Sequence, residues 1–599
     1  MRRPAARLAG AALTAVALTA AAVRAAPPCE ALAALRARLD SPGAEALDAS
    51  PTRAQQTVLL RRLMAEPLRA PCEAAQLLAH ARAQADAPAE LLRAAAALAD
   101  ADATTAPDPP ADAPAALPGV DTSALPEPLR GEVDRMLAAI AAARARLDRV
   151  RAALPPSLTP AKLRAQLLGE PAVQPTDDLR LLLPQLDRAR LATGMVELAQ
   201  AAARLYRFAA GATLPPLDWR QDTPLGAIVV DTRGNDDAHE FDVPPMLLLD
   251  TGGNDHYRFH AAPPAGHVAV LIDLAGDDRY HAADGADPSA ATLGYGILWD
   301  GAGDDTYDGG HFAQAAALFG AALLVDGGGA NRFAATGHAQ GWALGGIAVL
   351  AAGGGDDTYF ALTHAQASAG PLGVALLVER GGDDRYLLGN TPLLRPSPQL
   401  STRNTSMGQG AGRGLRAGDD GRPPATGGIG ALLDLAGDDR YEAQVFAQGA
   451  GFAEGVGLLA DGGGNDRYEA AWYAQGASAH LAVGVLLDEG EGADRYRASH
   501  ATSLGAAHDR SAAVFVDAGG DDDYALGDLG LGAAHDESAA LFADLGGADR
   551  YDVGPGCRAF GVVAGSNGEK PRGGAALFID RDRDGDRRPA HCPPEGNRR

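Results

Sequence analysis

The chain has 599 residues, which is room for several domains, and a formal net charge of -25 from 77 acidic and 52 basic residues. A chain this acidic is a poor candidate for nucleic-acid binding, because phosphate is recognised by positively charged surfaces. Its surface is better suited to cations.

The first 25 residues have the pattern of a secretory signal peptide. A basic start precedes a small-residue apolar run over about residues 8–23, and Val23-Arg24-Ala25 suits cleavage by signal peptidase. The run is too short for a bilayer span, and no later stretch is long and apolar enough to be one. We therefore expect an exported chain, periplasmic or extracellular and at the cell surface, without a transmembrane segment once the signal is removed. The oligomeric state stays open.

The four cysteines fall into two pairs near opposite ends of the chain, Cys29 with Cys72 and Cys557 with Cys592. In an oxidising compartment an even number of cysteines predicts disulfides. Three connectivities are possible, and closing the shortest loops gives Cys29 to Cys72 and Cys557 to Cys592. Four free buried thiols are the alternative.

Residues 26–103 and 125–215 are predicted to be helical, because their apolar residues recur at spacings of three and four. Between them, residues 104–124 form a Pro-rich linker that we expect to be extended. Pro184 lies inside a helical pattern and predicts a break there. No residue pattern in this half of the chain indicates chemistry.

After Pro216 the chain changes to short apolar runs, each ended by aspartate and glycine in the motif D-x-x-G-x-D-x-Y. Seven copies keep all four residues and begin at Asp250, Asp273, Asp300, Asp434, Asp461, Asp517 and Asp544. Degenerate copies begin at Asp231, Asp326, Ala352, Glu379 and Asp488. The aromatic position recurs about every 27 residues, which sets the length of one turn of chain.

Within a repeat, an apolar strand leads into the Asp-Gly corner, a second strand runs through the tyrosine, and a third short strand follows. Such repeats are typical of a parallel β-solenoid, in which like residues stack about 4.8 Å apart. The predicted fold is α+β and multidomain: an N-terminal all-α helical region, then a parallel β-solenoid of about 12 rungs with a period near 27 residues, over residues 220–553. We expect residues 554–599 to cap one end of the solenoid and the helical region to cover the other. The tyrosines are expected to form a core ladder rather than to stack on sugars.

The corner "DGGGNDRY", residues 461–468, brings two carboxylates and several carbonyl groups together. Gly464 is expected at positive φ, Asp461 closes the strand, and Asp466 points back into the corner. Hard oxygen ligands of this kind suit calcium. The alternative is an Asx turn without an ion, with the arginines that precede most of the tyrosines neutralising the stacked acids.

This corner resembles the RTX nonapeptide G-G-x-G-x-D-x-U-x, with Gly462, Gly464, Asp466 and Tyr468 on the second glycine, the third glycine, the aspartate and the apolar position. Asp461 stands where the first glycine belongs, and the motif recurs about every 27 residues, whereas RTX motifs recur about every nine. The resemblance implies calcium held between neighbouring coils in a single column. The resulting metal-ligand candidates are Asp250, Asp255, Asp273, Asp278, Asp300, Asp305, Asp434, Asp439, Asp461, Asp466, Asp517, Asp522, Asp544 and Asp549, with Asp357, Asp384 and Asp494 in degenerate copies.

A separate run near the C-terminus, "DRDRDGD", predicts one further calcium ion. Asp580, Asp582 and Asp584 alternate before Gly585, as do the first ligands of an EF-hand loop. His591 stands in place of the bidentate glutamate, and no flanking helices are evident, so we expect a variant loop.

A second polar row follows each aromatic residue, with "HAQ" at residues 338–340 and 364–366 as examples. The glutamines are expected to form amide ladders. The stacked histidines are either ladder and surface residues, which we favour, or bases and metal ligands.

The repeat is interrupted once, between Tyr386 and Tyr441, which are 55 residues apart. Two insertions flank a single rung over about residues 387–430 and bring arginines such as Arg413 into an acidic domain. Loops on a rigid scaffold commonly carry function. A disordered excursion rich in Pro, Gly and Ser is the alternative.

Two classes of function fit these patterns. The first is an exported, calcium-stabilised solenoid that acts in binding, adhesion or envelope structure, with a polysaccharide or a cell-envelope component as partner. We favour it because no rung concentrates acids and bases and no G-x-S-x-G or H-E-x-x-H motif is present. The second is a polysaccharide lyase or hydrolase with its site near the interrupted rung, where His338, His364 and Arg413 are candidate base and carboxylate-neutralising groups.

Overall fold

The protein consists of a parallel β-solenoid of about 11 turns and a smaller helical region. The predicted combination of a helical region and a solenoid is confirmed. In the computed structural model, the described residues are 43–101, 117–169, 182–416, 424–564, 573–581 and 586–592. The predicted signal peptide, most of the Pro-rich linker, Asp582 and Asp584 lie outside them.

The helical region contributes seven helices within the described ranges. They are α1 (Gly43–Asp48), α2 (Val58–Ala65), α3 (Ala70–Gln84), α4 (Pro88–Leu98), α5 (Leu129–Ala152), α6 (Pro160–Leu168) and α7 (Arg188–Gly211). Short 3-10 turns lie at Arg53–Gln55, Pro67–Arg69 and Leu183–Gln185.

Pro184 interrupts the last helical stretch, as predicted. It lies in the 3-10 turn before α7, which begins only at Arg188. Proline lacks the N–H that an α-helix needs and clashes with the preceding turn. The side chain of Asp187 then caps α7 by accepting the N–H of Arg190 at 3.0 Å.

The solenoid has three faces, named A, B and C in the order in which the chain follows them in each turn. Face A is a 14-stranded sheet. Its strands are Asp218–Thr223, Gly226–Asp231, Leu247–Leu249, Val268–Ile272, Tyr295–Trp299, Ala321–Val325, Ile347–Ala352, Val374–Glu379, Ile429–Asp434, Val456–Asp461, Val483–Asp488, Ala512–Asp517, Ala539–Asp544 and Ala575–Asp580. The first strand is antiparallel to the second, and all later pairs on this face are parallel.

Face B is a 12-stranded sheet and face C a 10-stranded sheet of shorter strands. Face B comprises Ala238–Phe241, His256–Phe259, Arg279–Ala282, Thr306–Gly309, Arg332–Ala334, Thr358–Ala361, Arg385–Leu388, Arg440–Glu442, Arg467–Ala470, Arg495–Ala498, Asp523–Leu526 and Arg550–Val553. Face C comprises Ala291–Thr292, Ala316–Leu318, Trp342–Leu344, Ser368–Ala369, Ala411–Arg413, Gly451–Phe452, Ser478–Ala479, Ala507–His508, Ala534–His535 and Val563–Ala564. Between these faces the chain forms two three-stranded sheets, of His311–Ala313, Gly337–Ala339 and Thr363–Ala365, and of Thr405–Gly408, Val445–Ala447 and Trp472–Ala474.

Neighbouring turns pair in register, so equivalent residues stack along the solenoid. Tyr441 pairs with Tyr468 on face B, and Leu459 pairs with Leu486 on face A. The corner motif returns the chain to the same place once per turn, and each turn therefore contacts mainly its two neighbours.

The helical region lies along the solenoid rather than over its end, which corrects the prediction. Face A strands such as Val456–Asp461 are buried on both sides, and their outward side chains share one core with α3, α4, α5 and α7. Strands that are apolar on both sides need a cover on each. Leu163 of α6 and Leu183 share a second core with face C residues such as Trp342. Face B keeps an exposed outer side.

Two cysteines close the C-terminal end. Cys557 and Cys592 form the predicted disulfide, with their Cα atoms 5.6 Å apart. Cys72 in α3 is also disulfide-bonded, and its predicted partner Cys29 lies outside the described residues. Over those same residues, no helix has the length and apolar character of a membrane span.

Candidate functional site

The aromatic residues of the repeat stack in one buried ladder. Its members are Tyr257, Tyr280, Tyr307, Phe333, Tyr359, Tyr386, Tyr441, Tyr468, Tyr496, Tyr524 and Tyr551. Neighbouring rings lie 4.6 to 5.1 Å apart and nearly parallel. The rings belong to the core, as expected, because burial of large aromatic area is mainly a packing contribution.

His239 and Arg588 stand at the two ends of this ladder. His239 takes the aromatic position in the first copy of the motif, 5.0 Å from the Tyr257 ring. Its Nε2 lies 3.1 Å from Oδ2 of Asp250, where a tyrosine hydroxyl would otherwise donate. At the other end, the Arg588 guanidinium lies 5.6 Å from the centre of the Tyr551 ring. Neither role was visible in the motif, since both positions lack the tyrosine.

Twelve of the 14 face A strands end at or lead directly into an acid, and most of these acids accept the tyrosine hydroxyl of the turn before. These strand-end acids are Asp231, Asp250, Asp273, Asp300, Asp326, Glu379, Asp434, Asp461, Asp488, Asp517, Asp544 and Asp580. Tyr441, for example, donates to Oδ2 of Asp461 at 2.7 Å, and Oδ1 of Asp461 accepts the N–H of Gly463 at 2.8 Å. The second bond is the Asx turn that the sequence left open as an alternative.

One pair in this series lacks both partners. Phe333 has no hydroxyl, and the residue that stands in the strand-end position one turn later is Ala352. The donor and the acceptor are therefore lost together. A buried hydrogen-bonded pair requires this, because either group alone would be left unsatisfied.

A second acid follows five or six residues later and builds a continuous hydrogen-bond ladder. These corner acids are Asp255, Asp278, Asp305, Asp357, Asp384, Asp439, Asp466, Asp494, Asp522 and Asp549. Oδ1 of each accepts the backbone N–H of the equivalent residue in the preceding turn. Asp466 accepts in this way from Asp439, and Asp494 from Asp466, both at 2.6 Å.

The other carboxyl oxygen of most corner acids is left over. Oδ2 is buried without a hydrogen-bond partner in Asp278, Asp305, Asp384, Asp439, Asp466, Asp494 and Asp549. The two series lie so close that one oxygen from each of Asp278, Asp300 and Asp305 falls within 4.8 Å of the others. Burial, together with the charge of neighbouring acids, raises the pKa of Asp278 to about 9 and that of Asp466 to about 11.

Asn331 replaces the corner acid in one turn and indicates what fits opposite these oxygens. Its Oδ1 accepts the N–H of Asp305 at 2.8 Å, as a corner acid does, while its Nδ2 donates to Oδ1 of Asp326 at 2.8 Å. The amide thus places a hydrogen where other turns place Oδ2. Two facing carboxylates repel unless a proton or a cation lies between them. Each turn with both a strand-end acid and a corner acid therefore requires a proton or a cation between them.

The arginines that precede the tyrosines do not meet this requirement. In the strands that begin at Arg279, Arg385, Arg467, Arg495 and Arg550, the arginine is exposed and the following tyrosine is buried. Successive side chains of a strand point to opposite sides. These guanidinium groups point to the outer side of face B, away from the buried acids. The alternative in which they neutralise the acids is therefore wrong.

The glycines after Asp461 act differently from the prediction. Positive φ falls on Gly463, at 111°, and not on Gly464. Gly464 is required by close approach instead, because a Cβ there would lie 1.5 Å from the carbonyl oxygen of Gly437 in the preceding turn. Stacked glycines thereby bring successive corners into contact.

The glutamine row satisfies main-chain carbonyl groups rather than forming an amide ladder. Nε2 of Gln448 donates to the carbonyl oxygens of Tyr441 and Glu469 at 3.0 and 3.2 Å. Gln409 also reaches the amide oxygen of Gln366 at 3.2 Å. The prediction missed this because the row turns through left-handed backbone at residues other than glycine, with φ 53° at Gln448.

A cluster of basic residues lies where the first insertion meets the histidine row. This Arg–His cluster consists of His311, His338, His364, Arg395 and Arg413. The rings of His338 and His364 stack 5.0 Å apart, and His311 lies 5.6 Å from His338. Nη1 of Arg413 lies 3.5 Å from Nε2 of His364. The structure thus brings together the three candidate catalytic residues and adds Arg395.

The first insertion is folded around Asn404. The amide oxygen of Asn404 accepts the N–H groups of Leu394 and Arg395, both at 2.8 Å, and its amide nitrogen donates to the carbonyl oxygen of Pro392 at 3.0 Å. Arg395 in turn donates to the carbonyl oxygen of Leu167 in α6. Residues 389–404 therefore form a folded segment, unlike the disordered excursion that was the alternative.

Hydrogen bonds fix the tautomer of His364. The hydroxyl of Thr363 donates to the carbonyl oxygen of Thr405 at 2.6 Å, so it can only accept from Nδ1 of His364, 2.7 Å away. Nδ1 therefore carries the hydrogen, and the lone pair of Nε2 faces Arg413. Burial, with the charges of His338 and Arg413, holds the pKa of His364 well below its usual value. The imidazole is neutral at neutral pH.

Positive charge is left over in this cluster. No described acid pairs with Arg395 or Arg413; burial lowers the pKa of both, and the charge of Arg395 adds to the effect on Arg413. Asp284 is the acid whose charge acts within the cluster, and it acts on His311. Nε of Arg413 and the buried indole N–H of Trp342, which packs against the histidines, make no hydrogen bond.

No family model, curated protein or solved structure matches this chain. Its class is therefore defined by the fold and these sites alone: a parallel β-solenoid with an internal acid column and one cationic cluster beside its interrupted rung. Asp580 belongs to the strand-end acids and bonds to Arg588 at 2.6 Å. A calcium ion in the loop that follows stays a prediction.

Proposed function

We propose that this chain is an exported binding solenoid that takes an anionic ligand at the Arg–His cluster, with an acidic polysaccharide or another acidic envelope polymer as the ligand class. The observation that carries the proposal is the pair Arg395 and Arg413, beside which none of the described residues places an acid. A partly buried charge without a partner is costly, and guanidinium groups bind carboxylate and sulfate or phosphate groups through charge-assisted hydrogen bonds. Such a ligand group supplies the missing negative charge.

Export is proposed from the N-terminal sequence. The disulfide between Cys557 and Cys592 supports it, because disulfides persist mainly in oxidising compartments. The net charge of -25 adds that an anionic polymer is repelled by most of the surface, so binding must be local to the cluster.

Binding is tested with the mature full-length chain, a panel of acidic polysaccharides, and uncharged dextran. Arg413→Gln and Arg395→Gln should each weaken binding about tenfold or more, because a charged hydrogen bond contributes about 1.5–3 kcal/mol. Arg467→Gln, on the exposed side of face B, is the matched control and should bind normally. Unchanged binding by both cluster variants, or equal binding of dextran, would sink the proposal.

A polysaccharide lyase is the second candidate, favoured by the neutral His364 with its Nε2 lone pair beside Arg413. In β-elimination, a base removes the proton next to a uronate carboxylate while a cation neutralises that carboxylate, and the glycosidic oxygen on the next carbon leaves as a C=C bond forms. Incubation with the same polysaccharides should then raise the absorbance of unsaturated products. His364→Gln should abolish the absorbance and keep binding. If the wild type produces no absorbance from any polymer that it binds, the protein is a binding protein and not a lyase.

We also propose calcium as the cation of the acid column. The leftover Oδ2 atoms support it, since calcium takes several hard oxygen ligands. A proton satisfies the same oxygen, as the amide hydrogen of Asn331 does. Melting of the mature chain in chelator and in millimolar calcium separates the two occupants. A higher Tm in calcium than in chelator, with a smaller difference in Asp466→Asn, supports calcium. An unchanged Tm means that protons occupy the acid column.

A further inference from the structure

A third group of titratable side chains lies on face C near the C-terminal end. It comprises His480, His508, Asp509, His535 and Asp536, in three consecutive turns. His508 and His535 end consecutive face C strands that pair in parallel, and each is followed directly by an aspartate. The repeat therefore places one His-Asp dipeptide above the other.

The stacking brings ring nitrogens and carboxylates close together. The rings of His508 and His535 lie 4.4 Å apart with an angle of 11° between their planes. Nδ1 of His535 is 3.0 Å from Oδ2 of Asp536. One ring nitrogen of His508, one of His535 and one oxygen of Asp536 all lie within 4.8 Å of one another.

His508 brings a nitrogen that has no hydrogen bond to any of the described residues. Its Nδ1 is buried, and although Oδ1 of Asp509 lies 3.2 Å away, that contact lacks hydrogen-bond geometry. Asp509 is directed to His480 instead, with 2.6 Å between Oδ2 and Nδ1. Asp509 therefore lies beside Nδ1 of His508, while its shorter contact goes to His480.

We propose that His508, His535 and Asp536 bind a divalent transition metal ion of the zinc class, with Asp509 positioning His508. Two imidazoles and a carboxylate suit zinc and its neighbours, whereas calcium prefers oxygen ligands alone. Ligand atoms of a tetrahedral zinc ion lie about 3.3 Å apart, from bonds of about 2.0 Å, so the two rings rotate out of their stack to direct both nitrogens at the ion. The His508 and Asp536 side chains are 25% and 24% exposed, which lets an ion enter from solvent.

The test uses the full-length mature chain without a polyhistidine tag, stripped with chelator and titrated with Zn²⁺ by calorimetry. Bound zinc is counted by elemental analysis, and Co²⁺ absorption reports the ligand field. We expect about one zinc per chain with this ligand set. His508→Gln, His535→Gln and Asp536→Asn should each weaken binding about tenfold or more.

Two histidine variants are matched controls. His364→Gln removes an imidazole of the Arg–His cluster, and His281→Gln removes one on the exposed side of face B; both should keep the zinc. Lack of zinc uptake by the wild type would overturn the proposal, as would full uptake by His508→Gln/His535→Gln or loss of zinc with His364→Gln alone. If the site variants unfold, the wild-type Co²⁺ spectrum decides, and a spectrum of hydrated ion alone counts against the site.

Discussion

The acid column, formed by the strand-end acids and the corner acids, and the Arg–His cluster both keep polar atoms without a partner among the described residues, but the column keeps acceptor oxygens and the cluster keeps donors. In the column, the hydroxyl of Tyr441, the carboxylate of Asp461 and the N–H of Gly463 are joined by hydrogen bonds, and the same set recurs in turn after turn. At the cluster, Arg413 and the adjacent Trp342 keep donors for which the described part of the chain offers no acceptor. Repetition thus leaves the same oxygen over in turn after turn, whereas the broken repeat leaves cationic donors in one place, which suits a local anionic ligand.

Removal of one ring from the middle of the ladder should have the largest effect on stability. Tyr468→Ala deletes a ring that stacks on Tyr441 and Tyr496 at 4.8 and 4.7 Å and donates to Asp488. We expect the free energy of unfolding to fall by about 3–5 kcal/mol, measured by urea unfolding. Tyr473→Ala, outside the ladder and only partly buried, should cost clearly less. Equal losses would mean that the ladder is no more important than other packing.

The joint loss of hydroxyl and acid at Phe333 and Ala352 can be tested by restoring them. Phe333→Tyr alone buries a hydroxyl without an acceptor and should cost about 1–3 kcal/mol. Ala352→Asp alone buries an acid without a donor and should also destabilise. Together they should recover part of both losses, with a coupling energy of about 0.5–3 kcal/mol in a double-mutant cycle. Strict additivity would show that the pair is not one unit.

The solenoid could be predicted because each turn repeats the same sequence motif. The spacing of Tyr441 and Tyr468 sets the period, and the Asp-Gly corner ends each face A strand. The position of the helical region could not be predicted, since it depends on which apolar sides of faces A and C remain to be covered. The role of Gln448 was equally hidden, because a left-handed backbone at a residue other than glycine carries no compositional signal.

The candidate site was predicted in part for the same reason. His338 and His364 share a position in the repeat, so the sequence already stacks them. Arg395 joins them only through the bonds that Asn404 makes within the insertion, which no repeat encodes. The replacement of the corner acid by Asn331 was visible in the sequence as a degenerate copy. Its role became clear only from the hydrogen bond that Asn331 donates to Asp326.

The free energy of unfolding of the metal-free protein should fall as pH rises. Each corner acid should contribute less to this loss than the changes described above. Burial, with the charge of neighbouring acids, raises the pKa of Asp384 to about 9 and that of Asp494 to about 8, whereas an unfolded aspartate has a pKa of about 3.9. The folded state binds more protons between these values. The contribution is therefore full below about pH 4 and is lost as pH rises through 8 and 9.

The measurement is Tm between pH 5 and 9 in chelator, with Asp466→Asn as the test variant. The asparagine needs no proton, so the variant should lose less stability at high pH, by about 1 kcal/mol or more. Asp438→Asn, at an exposed position beside the corner acid of its turn, is the control and should follow the wild type. A Tm that rises with pH in chelator would contradict the presence of protons between the strand-end acids and the corner acids.

The smallest effect should come from the arginines on the outer side of face B. Arg467 is exposed and lies on the opposite side of its strand from Tyr468, so it cannot neutralise the acids behind the ring. Arg467→Ala should change the free energy of unfolding by no more than about 0.5 kcal/mol, in chelator and in calcium alike, measured by urea unfolding beside the wild type. A loss close to that of Tyr468→Ala, or a calcium dependence that the wild type lacks, would return these arginines to the acid column.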